Sequence, residues 1–354
     1  MTAPLPSPQR EDPPGDLPGG PPDPSGRLPF GVPFLIADPP AARRDLTLLR
    51  RALAASGVVA EAAVARPVER AGAIAARALE TGHRLLVAVG SDRLAHALLR
   101  VLVDPGGPRW PDAVLGLAGL GRQDLSATFG LPDDPGKLAP FLVGPNLFIA
   151  DVGRARWRGP DGTDRVGVFA NTAELGYPAE VSARAPAGGV RGAAGVVPRW
   201  IGRVGGTDEG VPRWGGTAGR VGRLAAAVGG LAATRSSPAR LEVDHTAVDL
   251  RLAGLVVANG QFSMGRMKVA PRALPDDGRL SVIAFQGEPL GIYARSKDLY
   301  YGLHLPHPSI REYQSRRVAV DTAEPMALVL DGWRAAGSPP VAFDVMERAL
   351  RVKV

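Results

Sequence analysis

Between residues 32 and 129 the chain repeats one unit, a short apolar run bounded by turn residues and then an amphipathic stretch. The runs at 32–37 (VPFLIA), 58–65, 85–89 (LLVAV) and 114–117 are continuously apolar. A strand with no polar alternation has no solvent side, so these read as strands buried on both faces. The stretches between them set apolar residues at helical spacing: Leu46, Leu49 and Leu53, then Ile74, Ala75, Ala78 and Leu79, then Leu94, Leu98, Leu99 and Leu102. Gly57 and Gly82 stop the first two helices and Pro67 opens the second. Strand–helix alternation needs crossovers between parallel neighbours, which predicts a doubly wound α/β domain with a mostly parallel sheet.

After residue 140 the period changes. Short strand-like runs recur at 146–151, 165–171, 240–243, 255–258, 280–284, 317–320, 327–330 and 350–354, separated by turn residues. This predicts an all-β or β-rich second domain behind the N-terminal α/β domain. The expected division is a Pro/Gly-rich tail over 1–30, disordered for want of apolar residues to bury, an α/β domain over 31–138 and a β-rich domain over 139–354.

Composition then removes whole classes of chemistry. With no cysteine there is no disulfide, thiolate metal site or Cys nucleophile. Five histidines without H-E-x-x-H spacing argue against a His metal site, and His304 and His307 read as loop packing. The net charge of +7 is almost all arginine, which reflects compositional bias more than a nucleic-acid surface. No aromatic-interleaved basic stripe appears, so nucleic acid is not an expected partner. No run is long enough to span a bilayer and no signal-peptide pattern opens the chain, so a cytoplasmic protein is expected.

A basic surface would still favour peripheral contact with the inner face of an anionic membrane, where Trp200 and Trp214 are candidate anchors. The helical pattern of Val221, Leu224, Ala225 and Val228 either covers an acyl pocket or packs as ordinary core. Self-association into a homodimer stays open.

Three local features stand out. A buried strand runs into Gly90-Ser91-Asp92 and then a helix, where free amides and the helix dipole suit a phosphate. The plain alternative is a turn with Asp92 as a cap. There is no G-x-x-x-x-G-K and no complete G-x-G-x-x-G. The stretch from Asn259-Gly260 through Lys268 to Asp276-Asp277-Gly278 is the second feature, and Leu330-Asp331-Gly332, a carboxylate at a strand end, is the third. Each of these is also an ordinary turn signal.

Taken in order, Gly90-Ser91-Asp92, Asp124 before Gly130-Leu131-Pro132, F-A-N-T-A-E-L-G (169–176), V-V-A-N-G (256–260), M-K-V-A-P-R-A-L-P-D-D-G (267–278), G-L-H (302–304) and Leu330-Asp331-Gly332 resemble the diacylglycerol kinase catalytic family, itself similar in fold to sphingosine kinases and NAD kinases. The resemblance covers roughly residues 32–354. It implies a two-domain lipid kinase, with an α/β nucleotide-binding domain over 31–138 and a C-terminal β-sandwich lipid-substrate domain over 139–354, that takes the γ-phosphoryl group of ATP, with Mg²⁺ as charge neutraliser, to the hydroxyl of a lipid alcohol. It implies Asp331 and Asp92 as catalytic residues, with Asp331 the base. It also implies Asp38, Gly90, Ser91, Asp92, Arg93, Arg122 and Asp124 around the nucleotide, and Asp277 in a loop that holds a structural divalent ion in bacterial members.

The sequence departs from that pattern at the phosphate end. The loop G-G-D-G-T reads Gly90-Ser91-Asp92-Arg93-Leu94, and the first-strand N-P-x-x-G reads Asp38-Pro39-Pro40-Ala41-Ala42. G-T-x-N-D reads Leu120-Gly121-Arg122-Gln123-Asp124, and L-D-G-E reads Leu330-Asp331-Gly332-Trp333. Two readings follow. Either Arg93 and Arg122 supply the phosphate contacts that glycine amides make elsewhere, or the chain is a catalytically degenerate relative that keeps the fold and binds lipid or a protein partner.

Overall fold

The α/β unit begins with β1 (Phe34–Ala37), α1 (Asp45–Ala55), β2 (Glu61–Val64), α2 (Ala71–Glu80), β3 (Leu85–Val89) and α3 (Asp92–Leu102). The short ribbon β4 (Val103–Asp104) and β5 (Gly107–Pro108), then β6 (Val114–Ala118), α4 (Asp124–Thr128) and α5 (Pro135–Val143) complete it. The computed structural model describes residues 28–39, 41–184 and 227–354. Most of the expected N-terminal tail, Pro40, Trp200, Trp214, Val221, Leu224 and Ala225 lie outside the described residues.

The four main strands pair in parallel in the order β2-β1-β3-β6. β3 and β6 are buried along their whole length, as their unbroken apolar runs require. β2 is shorter than the run at 58–65, and Glu61 and Ala62 are exposed. It is the sheet's edge strand, so one side and its outward residues meet solvent, which periodicity alone does not distinguish. The inward leucines of α1 and α3, Leu49, Leu53, Leu94, Leu98 and Leu99, have no exposed surface, and each contributes about 1.5–3 kcal/mol by burial.

The second half runs β7 (Leu147–Arg158), β8 (Asp164–Phe169), β9 (Thr172–Gly176), α6 (Tyr177–Arg184) and a helical stretch over 227–233 (α7). It continues with β10 (Ser237–Val243), β11 (Thr246–Ala258), β12 (Leu280–Gln286), α8 (Pro289–Ala294), α9 (Ser296–Tyr301) and β13 (Ile310–Ser315). β14 (Arg317–Thr322), β15 (Leu328–Leu330), β16 (Trp333–Ala335) and β17 (Ser338–Lys353) close the chain. This is an α/β domain followed by a β-sandwich-like domain.

β11 shows why both of its faces are apolar at its end. Leu255 and Val257 enter one core with Leu175, Val282 and Leu330, while Val256 and Ala258 enter another with Ile283, Phe285 and Ile292. The two-residue period of a strand divides the run between two layers.

Two strands are far longer than their sequence runs. β7 extends through Arg154, Arg156 and Arg158, and β17 covers 16 residues although Asp344, Glu347, Arg348 and Arg351 break its apolar pattern. Arg156 and Arg158 in β7 and Glu347, Arg348 and Arg351 in β17 are exposed, whereas Asp151 and Lys353 are buried, and the pairing of the two strands shifts register between Met346 and Leu350. The end of β17 also lies parallel to β6, with Val352 opposite Leu115, so one 15-stranded sheet runs through both halves.

Candidate functional site

Buried carboxylates line the junction between the two halves, and each is held by backbone amides of another element. Asp38 follows β1 and is 1% exposed. Its Oδ1 accepts from the Ala41 amide at 3.1 Å and its Oδ2 from the Ser91 amide at 2.9 Å. Asp92, first residue of α3, accepts from the amides of Asp124 at 2.9 Å and Leu125 at 3.0 Å, and so caps α4 rather than its own helix. Burial and then the neighbouring Asp124 push its carboxyl well above the usual range, against the lowering pull of those two amides.

Asp124 in turn accepts from the amides of Gly265 at 3.1 Å and Arg266, in the turn after β11, and ties α4 to the C-terminal half. Asp331, at φ +45° between β15 and β16, takes three amides: Ala170 at 2.8 Å on Oδ2, and Asn171 and Thr172 at 2.9 Å on Oδ1.

The loops do converge. A Cβ placed on Gly332 would lie 3.4 Å from Cγ of Arg93 and 3.8 Å from Cβ of Asp92, so the Asp331 turn packs on the first turn of α3. Side chains occupy the contact. The indole of Trp333 carries the Arg93 guanidinium at 5.2 Å and stacks at 6.4 Å on His96, whose Nδ1 is 3.3 Å from Asp331 Oδ2.

The phosphate loop gives the test of fit for a nucleotide. Gly90 has φ +139°, which favours glycine. The space that its missing Cβ leaves is filled, since an added Cβ would fall 2.5 Å from the Asp38 carboxylate. The donor that a phosphate would meet first, the Ser91 amide, already serves that carboxylate. Arg122 is ion-paired to Asp45, and Arg93 lies over Trp333. Arg93 Nε and Arg122 Nη1 are nonetheless buried without a hydrogen-bond partner, so each arginine keeps a donor beyond these contacts. Two unit charges 4 Å apart at a protein surface interact by about 4 kcal/mol, so a phosphate brought against the fixed Asp38 carboxylate is opposed on that scale. At Gly90 and Ser91 the seated Asp38 carboxylate does not fit a phosphate of ATP in the same place.

Among the described residues no group of three His, Asp or Glu side chains is placed to hold a metal. The Asp277 carboxylate accepts from the Arg279 amide at 2.9 Å, within its own turn. The turn is anchored instead by Asp151, which accepts from the amides of Gly278 and Arg348 at 2.7 Å each. Of the two histidines expected in loop packing, His304 is buried and Nε2 of His307 accepts from Nε of Arg295 at 3.0 Å.

Several residues that build this junction carried no sequence-based assignment. Asn259 Nδ2 donates to the carbonyls of Asp151 at 2.8 Å and Ala170 at 2.9 Å. Asn171 Nδ2 donates to Phe262 O at 2.8 Å and its Oδ1 accepts from Thr128 Oγ1 at 3.1 Å. Glu174, in the middle of β9, accepts from Ser263 Oγ and from Thr172 Oγ1, and burial raises its carboxyl to about 7. The available signal was a polar residue set inside an apolar strand run, as in F-A-N-T-A-E-L-G and V-V-A-N-G. A buried polar group needs a partner, and such positions mark where elements are joined.

Residues 213–354 match the family described as the YegS C-terminal NAD kinase beta sandwich-like domain. No curated protein sequence matches the chain. A crystal structure from Bacillus anthracis str. Sterne described as a diacylglycerol kinase is 15% identical, with a TM-score of 0.61 over 91% of this chain and 96% of that one. Another from the same organism, provisionally described in the same way, is 16% identical with a TM-score of 0.64 over the same shares. Residues 213–354 are thus similar to the YegS-type, NAD kinase beta sandwich-like domain, and the chain shares its fold with these two Bacillus anthracis structures.

Proposed function

We propose that this chain is a non-phosphorylating relative of the lipid kinases, one that keeps the two-domain fold for binding and has given up phosphoryl transfer. The observation that carries this reading is the state of Asp331. A general base needs a carboxylate oxygen within reach of a substrate hydroxyl. Both oxygens of Asp331 are committed to the three amides of residues 170–172, with His96 alongside, and the group is 4% exposed beneath Trp333. The binding role falls to the C-terminal half and a lipid alcohol is the expected ligand class. The basic charge supports contact with an anionic membrane surface.

A second reading, transfer of the ATP γ-phosphoryl group to a lipid hydroxyl, is favoured by the packing of the Asp331-Gly332 turn on Asp92 and Arg93. The two are separated by incubating the full chain with γ-labelled ATP, Mg²⁺ and a mixed lipid extract, followed by thin-layer separation. Lipid recovered from the same chain by affinity capture is identified in parallel. The expected result is captured lipid with no label transferred. Labelled lipid above the no-protein control overturns the proposal.

A further inference from the structure

We infer that the Asp38 carboxylate is a built-in occupant of an anion pocket, seated where a phosphate would sit, and that its removal opens that pocket. This rests on the non-phosphorylating reading and gives it a cause. Two amides from different loops, Ala41 and Ser91, point at one carboxylate, each of its oxygens taking one bond. The backbone is pinned independently, because the Asp38 amide donates to Val89 O at 3.3 Å, so truncating the side chain empties the pocket without moving the strand. No basic side chain among the described residues forms an ion pair with Asp38. The amides alone receive its charge, as they would receive the charge of a bound oxyanion.

The second observation is Ser91 itself. It is the N-cap residue of α3, yet its hydroxyl makes no capping bond, is 6% exposed as a residue, and has no hydrogen-bond partner. Buried hydroxyls are nearly always satisfied. A carboxylate has two oxygens and fills the two amides, whereas a phosphate has further oxygens, and the idle Ser91 Oγ is the donor such an oxygen would take. α3 is 11 residues long, and its N-terminal dipole favours the same charge. The pocket is therefore cut for a tetrahedral oxyanion and filled by a planar one. The ligand class is inorganic phosphate or a terminal phosphate monoester, two sources that separate titrations distinguish.

The experiment uses the full chain as wild type, Asp38→Asn, Asp38→Gly and the double variant Asp38→Gly with Ser91→Ala. Each is titrated with inorganic phosphate and, separately, with Mg-ATP by calorimetry. Wild type is expected to show no saturable binding of either at millimolar concentration, while Asp38→Gly, which vacates the space, binds phosphate at least tenfold more tightly and Asp38→Asn, which removes the charge but keeps the volume, shows a smaller gain. Ser91→Ala should reverse the gain several-fold. Binding of Mg-ATP only by the single variants identifies a nucleotide phosphate as the occupant, and binding of phosphate alone identifies the free ion.

Two folded single variants that stay silent overturn the inference and leave the non-phosphorylating reading in place. Label transfer by wild type overturns that reading instead. Should both variants fail to fold, hydrogen exchange at the Ser91 amide in wild type decides. Exchange that ignores added phosphate supports a seated carboxylate, and protection by phosphate overturns it.

Discussion

Asp331 Oδ2 lies 3.3 Å from Nδ1 of His96, and both side chains are 3% exposed, one from the turn after β15 and one from the middle of α3. The contact joins the C-terminal half to the α/β domain, and the same carboxylate holds the 170–172 turn through three amides. A group in that position is a structural tie.

Substituting Asp331→Asn should therefore cost stability. The asparagine oxygen can accept only part of the set, and its NH₂ faces an amide donor. A lost charge-assisted bond is worth about 1.5–3 kcal/mol. Chemical denaturation should show a loss of about that size, with hydrogen exchange rising at Ala170, Asn171 and Thr172. A variant as stable as wild type would contradict the tie.

Asp124 links α4 to the turn at Gly265 and Arg266. Asp124→Ala should leave those two amides unpaired and loosen the joint between the halves, at about 1–3 kcal/mol. Faster exchange confined to 262–268 and the start of α4 is the expected pattern. Uniform faster exchange throughout the molecule would argue against a local joint.

Glu174 sets a pH dependence. Burial raises its carboxyl to about 7 in the folded protein, from an ordinary value of 4.5. The folded state then keeps a proton that the unfolded chain releases, so between about pH 4.5 and 7 this group's contribution to stability falls as pH rises. A shift of this size corresponds to roughly 3 kcal/mol across the window. Glu174→Gln, which mimics the protonated form, should match wild type near pH 5 and exceed it at pH 8. Equal denaturation midpoints at pH 8 would remove Glu174 as the cause.

Trp333 covers the junction by stacking on His96 and carrying Arg93. Trp333→Ala should cost the cation–π and packing energy, about 1–3 kcal/mol, and make the Asp331 turn accessible. Faster exchange at Thr172 with the core strands unchanged is the readout. If phosphorylation of lipid appeared in this variant, the indole would be the block and not Asp38.

How much of this was legible beforehand depends on the range of the interaction. β3 and α3 could be read directly, because five consecutive apolar residues and leucines at helical spacing state their own burial. β17 could not. Asp344, Glu347 and Arg348 break its apolar pattern, and it is a strand because β7 lies beside it over most of its length. Asp331 stood out as a carboxylate at a strand end and Asp38 as a departure from the first-strand pattern of the family, but no spacing in the chain says that the partner of Asp38 is Ser91, 53 residues away, or of Asp331 Thr172, 159 residues away.

Local chemistry, then, was written into the order of residues: which runs would be strands, which faces would turn inward, that two acids would end two strands near a glycine loop. What those acids do was decided when folding brought distant amides to them. An amide donor satisfies a carboxylate only at about 3 Å, a distance set by packing and invisible to sequence spacing. The same Gly90 loop would accept a phosphate in a chain whose first strand ended in a smaller or neutral residue; here the Asp38 carboxylate arrives first, from within.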